Sequence, residues 1–148
     1  MNVQTFDKGL IGLFRRTAEP LARVGLFVIF FWFGMLKVLG LSPASPLVEQ
    51  LFQEAVYLSF ISFSSFNILF GAFEALIGVL FLKRGLERIV IPLLFLHMAT
   101  TFMPLFLLPT VTWSGFMVPT MEGQYIIKNL VIIAAATTVA AHLHPLKK

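Results

Sequence analysis

The chain contains no cysteine. That removes disulfides, thiolate nucleophiles and every cysteine-based metal site. Charge is scarce too. Only 12% of the 148 residues are Asp, Glu, Lys or Arg, whereas 58% are hydrophobic and the mean hydropathy is +0.91. A water-soluble domain of this size needs a charged surface that these residues cannot supply. Only three histidines are present, and His142 and His144 sit in the last seven residues. No phosphate loop, nucleophile elbow or nucleotide fingerprint occurs, and no repeat of 20–50 residues is visible.

What fills the chain is Phe, Leu, Ile, Val and Ala in long runs. Four apolar segments, about 21–41, 63–82, 89–108 and 124–143, each hold the ~20 residues that a helix needs to cross a hydrocarbon core. Only a helix satisfies its own backbone in lipid over that length. The expected fold is all-α: a four-helix transmembrane bundle in one domain, 21–143, with lipid covering most of its surface. The segment 1–20 is set apart. Phe6, Leu10, Leu13 and Phe14 recur at helical spacing beside Lys8, Arg15 and Arg16, as in an amphipathic helix on an anionic membrane surface. Residues 144–148 form a short basic tail.

The net charge of +4 does not point to nucleic acid, because the basic residues sort by loop. Lys8, Arg15, Arg16 and Arg23 precede or open the first span, Lys83, Arg84 and Arg88 lie between the second and third, and Lys147 and Lys148 follow the fourth. Residues 42–62 and 109–123 contain neither Lys nor Arg. The alternation predicts both termini on the cytoplasmic side. The first apolar run starts after about twenty residues and lacks a small-residue cleavage site, unlike a cleavable signal.

Two outer loops have features of their own. Ser45 and Pro46 fit an N-cap and first helical position. Leu47, Leu51, Ala55 and Leu58 then predict a short amphipathic helix that tethers the loop or roofs a site. The second loop carries Trp113, Phe116 and two prolines, an interfacial anchor or a lid.

Ionisable groups inside a span cost several kcal/mol and need a reason. Lys37 lies roughly 6 Å from the outer end of the first span, Glu74 on the order of 15 Å into the second, and Lys128 roughly 6 Å into the fourth. His97 lies near the middle of the third, Glu122 at the mouth of the fourth, and Asn129 beside Lys128. Asn67, Gly71, Glu74 and Gly78 share one helical face, where glycines permit close approach of another helix. Phe30, Gly34 and Lys37 share a second, and Lys128, Ile132, Ala135 and Val139 a third. If all face inward, they form one polar track from the outer surface to the middle. Two Lys and two Glu also sum to zero, so the same residues could pair and pin the bundle with no ligand. His97 has no partner at H-x-x-x-H spacing, and His142 and His144 fit interfacial positions better than a metal site. Pro92 and Pro104 would bend the third helix beside His97.

Three stretches carry a family resemblance: RVGLFVIFFWFGMLKVLGLSPASPLV in the first span, FGAFEALIGVLF in the second and EGQYIIKNLVII opening the fourth. Together, over about residues 20–143, they resemble the DoxX-like superfamily of small four-helix membrane proteins, and within it the YkgB type. The resemblance implies a bacterial inner-membrane protein. Its members are linked to quinone-coupled oxidation of sulfur compounds, to oxidative stress or to membrane-protein assembly. By matching position it singles out Arg23, Lys37, Glu74, Lys128 and Asn129.

The combined expectation is a small ligand, such as a quinone or a small redox substrate, held in a polar-lined cavity open to the outer face. Glu74 and His97 would handle protons, and Arg23, Lys37, Glu122, Lys128 and Asn129 would bind. The chain has no redox-active side-chain pair, so electrons would pass between bound molecules, and whether it is an enzyme stays open. The rivals are a non-catalytic partner or assembly factor for another membrane protein and a small transporter, for which four helices are few unless the chain forms a homodimer.

Overall fold

The computed structural model describes residues 3–55, 61–141 and 143. Leu58, His142, His144, Lys147 and Lys148 lie outside them. In chain order the elements are α1 (Val3–Val38), α2 (Ser45–Ala55), α3 (Phe63–Leu82), α4 (Glu87–Phe102), α5 (Pro104–Leu107), α6 (Pro109–Thr112), β1 (Trp113–Gly115), β2 (Val118–Pro119), α7 (Met121–Ile127) and α8 (Leu130–Ala140). Among the described residues, four helical stretches, Val3–Val38, Phe63–Leu82, Glu87–Leu107 and Met121–Ala140, are long and apolar enough to cross a membrane.

α1 and α3 form the central pair. They run antiparallel, with Gly34 against Gly71 and Ala75, and Gly78 against Phe27 and Phe31. A Cβ added at Gly34 would lie 2.5 Å from the Gly71 carbonyl oxygen and 2.6 Å from the Ala75 nitrogen. Only hydrogen fits between backbones at that separation. Lipid tails are as apolar as Leu, so helices in a bilayer gain from tight packing more than from escape from solvent. Leu26 and Phe30 of α1, Ile77 and Phe81 of α3, Val90, Leu94 and Met98 of α4, and Ala136 and Val139 of α8 make one buried core.

Residues 3–20 are helical, as their spacing predicts, but they do not form a separate helix. α1 runs unbroken through Pro20, and the basic segment continues the first span. Proline already has a helical φ, and its missing N–H forfeits one hydrogen bond, to Arg16, which the flanking helix tolerates.

The third and fourth spans are interrupted. Pro104 has no N–H, so Met103 bonds instead to the Thr100 carbonyl at 3.3 Å, and the helix restarts as α5. The hydroxyls of Thr100 and Thr101 both donate to the His97 carbonyl, at 2.7 and 3.0 Å, competition of the kind that bends helices. In the fourth span the Asn129 side chain donates to the carbonyls of Tyr125 and Ile126, at 3.1 and 3.0 Å, and α7 ends before α8 begins.

The loop after α5 folds into α6 and a small antiparallel hairpin with Trp113 opposite Pro119. Its tip holds Met117 at φ 59°. The Trp113 indole N–H donates to the Leu105 carbonyl at 3.0 Å, which ties the hairpin to α5. Thr120 caps α7 through the Gly123 N–H at 3.2 Å and donates to the Val111 carbonyl at 2.7 Å. Thr120→Val should therefore lower the melting temperature, with a loss of about 1–2 kcal/mol for a cap that also bonds across the loop.

Candidate functional site

Three of the ionisable residues meet. Lys37 Nζ donates to Glu74 Oε2 at 2.5 Å, and Glu74 Oε1 lies 3.1 Å from His97 Nε2. They come from α1, α3 and α4, and all three are at least 94% buried. The helices themselves aim the side chains. A helical Cα–Cβ bond tilts toward the N-terminus, so Lys37 leans toward the middle from one end of the bundle. Glu74, on an antiparallel helix, leans the other way to meet it. The glycine seam beneath them sets the separation: Gly71 abuts the Lys37 Cβ and Gly34 abuts the Glu74 Cβ.

An aromatic cage surrounds the triad. The His97 ring packs against Phe30 edge-on at 5.4 Å, Phe70 at 5.1 Å and Phe73 at 6.2 Å between ring centres. Lys37 Nζ lies 5.5 Å from the Phe70 ring centre, within cation–π range. From Phe70 the ring contacts continue to Phe66 at 5.6 Å and from Phe66 to Phe52 on α2 at 4.8 Å. A ladder of rings thus links His97 to the short helix between α1 and α3.

Two buried side-chain atoms have no hydrogen-bond partner among the described residues: His97 Nδ1 and Asn67 Oδ1. Asn67 Nδ2 reaches the Lys37 carbonyl at 3.5 Å and Ser45 Oγ at 3.4 Å, so its amide joins α3 to the start of α2. Nε2 of His97 faces Glu74, and a neutral imidazole that donates there presents Nδ1 as an acceptor. An unsatisfied buried acceptor costs about 1–3 kcal/mol, so Nδ1 is chemically conspicuous.

The other candidate residues lie elsewhere. Arg23 is buried at the opposite, basic end of α1. It donates from Nε to Glu19 at 2.8 Å, from Nη1 to the Phe81 carbonyl at 3.1 Å and from Nη2 to Glu87 Oε1. Glu87 also accepts from the Gly85 N–H at 3.0 Å. Arg23 therefore clasps α1 to the turn between α3 and α4, far from the triad. Arg23→Met would leave the Glu87 carboxylate with the Gly85 N–H but without its cation, and we expect a fall of about 1–2 kcal/mol in unfolding free energy, read by chemical unfolding in micelles.

Lys128 is exposed and lies over its own neighbour Tyr125, 4.6 Å from the ring centre. Asn129 spends its amide on the α7 carbonyls, and Glu122 is exposed in the first turn of α7. The backbone stays helical through Lys128 and Asn129, but the Lys128 side chain is exposed whereas Ile132 and Ala135 pack against the core. The structure brings Lys37, Glu74 and His97 together and leaves Arg23, Glu122, Lys128 and Asn129 outside that group.

Spacing alone did not single out Glu19 and Glu87 as the partners of Arg23, although Glu19 precedes it by four residues. Nor did it mark the ring ladder, although Phe63, Phe66, Phe70 and Phe73 recur at helical spacing. Among the described residues, no three His, Asp or Glu side chains gather as metal ligands. No family model, no curated protein and no solved structure matches this chain.

Proposed function

We propose that this chain is an integral membrane protein that binds a small, mostly apolar molecule with a polar head at the Lys37–Glu74–His97 triad. One observation carries the reading: His97 Nδ1, unpartnered among the described residues, in a cage of phenylalanines beside a buried ion pair. Rings suit an apolar or aromatic body, and Nδ1 suits a hydroxyl that donates to it. An imidazolium would present Nδ1 as a donor to a carbonyl while Nε2 still donates to Glu74. A quinone and its quinol present those two groups in their two redox states. The resemblance to DoxX-like proteins favours the same ligand class.

The sorting of Lys and Arg supports a cytoplasmic location for the end that carries Arg15, Arg16, Lys83 and Arg84. The triad then lies toward the outer half of the bilayer, beneath α2. A bacterial inner membrane follows from the resemblance.

The test is mass spectrometry of small molecules that co-purify in mild detergent, with wild type beside His97→Phe. Phenylalanine keeps the ring packing and removes both nitrogens. A stoichiometric molecule present in wild type and absent from a folded His97→Phe is the expected result. Only bulk lipid in both would overturn the ligand reading. The Lys37–Glu74 pair would then be a pin between α1 and α3, as its close contact with the glycine seam also permits, and the role of the protein would lie with a membrane partner.

A further inference from the structure

Away from the triad, an open groove of about 470 Å³ runs between α1 and α8 at the basic end. Its α1 wall presents Ala18, Ala22, Gly25 and Ile29, a spacing that keeps them on one face. Its polar contribution is slight, and Thr138 on the opposite wall already donates its hydroxyl to the Ala134 carbonyl at 3.1 Å. The groove therefore asks for an apolar occupant.

Gly25 is the informative residue. Gly34, Gly71 and Gly78 are glycines because another helix touches them, whereas a Cβ at Gly25 would meet nothing within 4 Å; Gly9 and Gly12 are equally open, but of the three only Gly25 lies in the groove wall. A glycine inside a helix costs about 1 kcal/mol relative to alanine. Packing among the described residues does not account for it, whereas a slender molecule lying against the backbone would.

Length and charge specify that molecule. Ala18 to Ile29 spans roughly 16 Å, close to half of a ~30 Å hydrocarbon core and hence to one leaflet. One turn before Ala18, on the same side of the helix, stands Arg15, followed by Arg16. Both are exposed and form no ion pair among the described residues. An apolar slot one leaflet deep with a guanidinium at its mouth matches a phosphate joined to a fatty chain.

We propose that the groove between α1 and α8 seats one acyl chain of an anionic phospholipid, with the phosphate on Arg15. The site is independent of the triad and rests only on the chain spanning a bilayer. The lipid would fill the gap between two helices and couple the stability of the bundle to the anionic lipid content of its membrane.

The experiment is native mass spectrometry of the full chain in mild detergent with equal phosphatidylglycerol and phosphatidylethanolamine. Wild type should retain one phosphatidylglycerol. Gly25→Leu fills the open space, and retention should drop about tenfold, while the melting temperature without lipid is unchanged or higher. Ala18→Leu, at the exposed mouth, should act the same way and serves if Gly25→Leu does not fold. Arg15→Gln should reduce the preference for phosphatidylglycerol about fivefold, as expected for one basic residue at an anionic surface. His97→Phe should retain the lipid, which separates this site from the triad. Undiminished retention in a folded groove variant would overturn the proposal. So would a dimer that Gly25→Leu dissolves, since the occupant would then be a second copy of the chain, and so would equal retention of phosphatidylethanolamine.

Discussion

Glu74→Ala should lower the unfolding free energy by about 3–5 kcal/mol. The cost comes from the residue left behind. Lys37 is 6% exposed, and in this variant its ammonium would retain the face of Phe70 but lose its carboxylate. The double variant Lys37→Met, Glu74→Met should regain most of the loss, because replacing a buried ion pair by apolar side chains is often neutral or stabilising. Unfolding in mixed micelles reads both. A single-variant loss below about 1 kcal/mol would mean that Lys37 has water beside it or turns out to the interface, as long cationic side chains do. The double variant also divides the two readings of the triad. If the charges only pin the bundle, it keeps every property of the protein. If they hold a ligand, it folds and fails to bind.

Gly34→Ala should be nearly as damaging, by a different route. Its Cβ would be pressed against backbone atoms of α3, at 2.5 Å from one and 2.6 Å from another, and backbone cannot rotate away as a side chain tip does. α1 and α3 would have to separate, at a cost of about 2–3 kcal/mol, and Lys37 would be drawn away from Glu74. Gly34→Leu should not yield a folded protein. Gly12→Ala is the control on the same helix, since a Cβ there meets nothing within 4 Å. It should be neutral, or more stable by up to about 1 kcal/mol. Equal melting temperatures for Gly34→Ala and wild type would show that the seam is looser than the contacts indicate.

Much of the helical pattern was legible because lipid imposes one length on every span. Phe63–Leu82 was bounded by hydropathy alone. The spans that departed did so for local reasons. Met103 and Pro104 break the third through a missing N–H, and the Asn129 amide breaks the fourth by taking carbonyls. Hydropathy is blind to both, since each acts on single backbone bonds. The site was legible in part. The spacing of Asn67, Gly71, Glu74 and Gly78 marks a face, and all four are buried. What spacing does not carry is the azimuth of one helix relative to another. Lys37 and Lys128 look alike in sequence, each roughly a turn inside an apolar run. One meets a carboxylate across a glycine seam, whereas the other closes α7 and covers its own tyrosine.

The unbroken α1 has one further consequence. Thirty-six residues make a rod of roughly 54 Å, which exceeds a ~30 Å hydrocarbon core by about 24 Å. Such a rod transmits torsion. Gly34 and Lys37 fix its rotation at one end, and Arg23, locked to Glu87, fixes it again fifteen ångströms or more along the axis. The direction in which Phe6, Leu10 and Arg15 point is thereby decided by contacts deep in the protein.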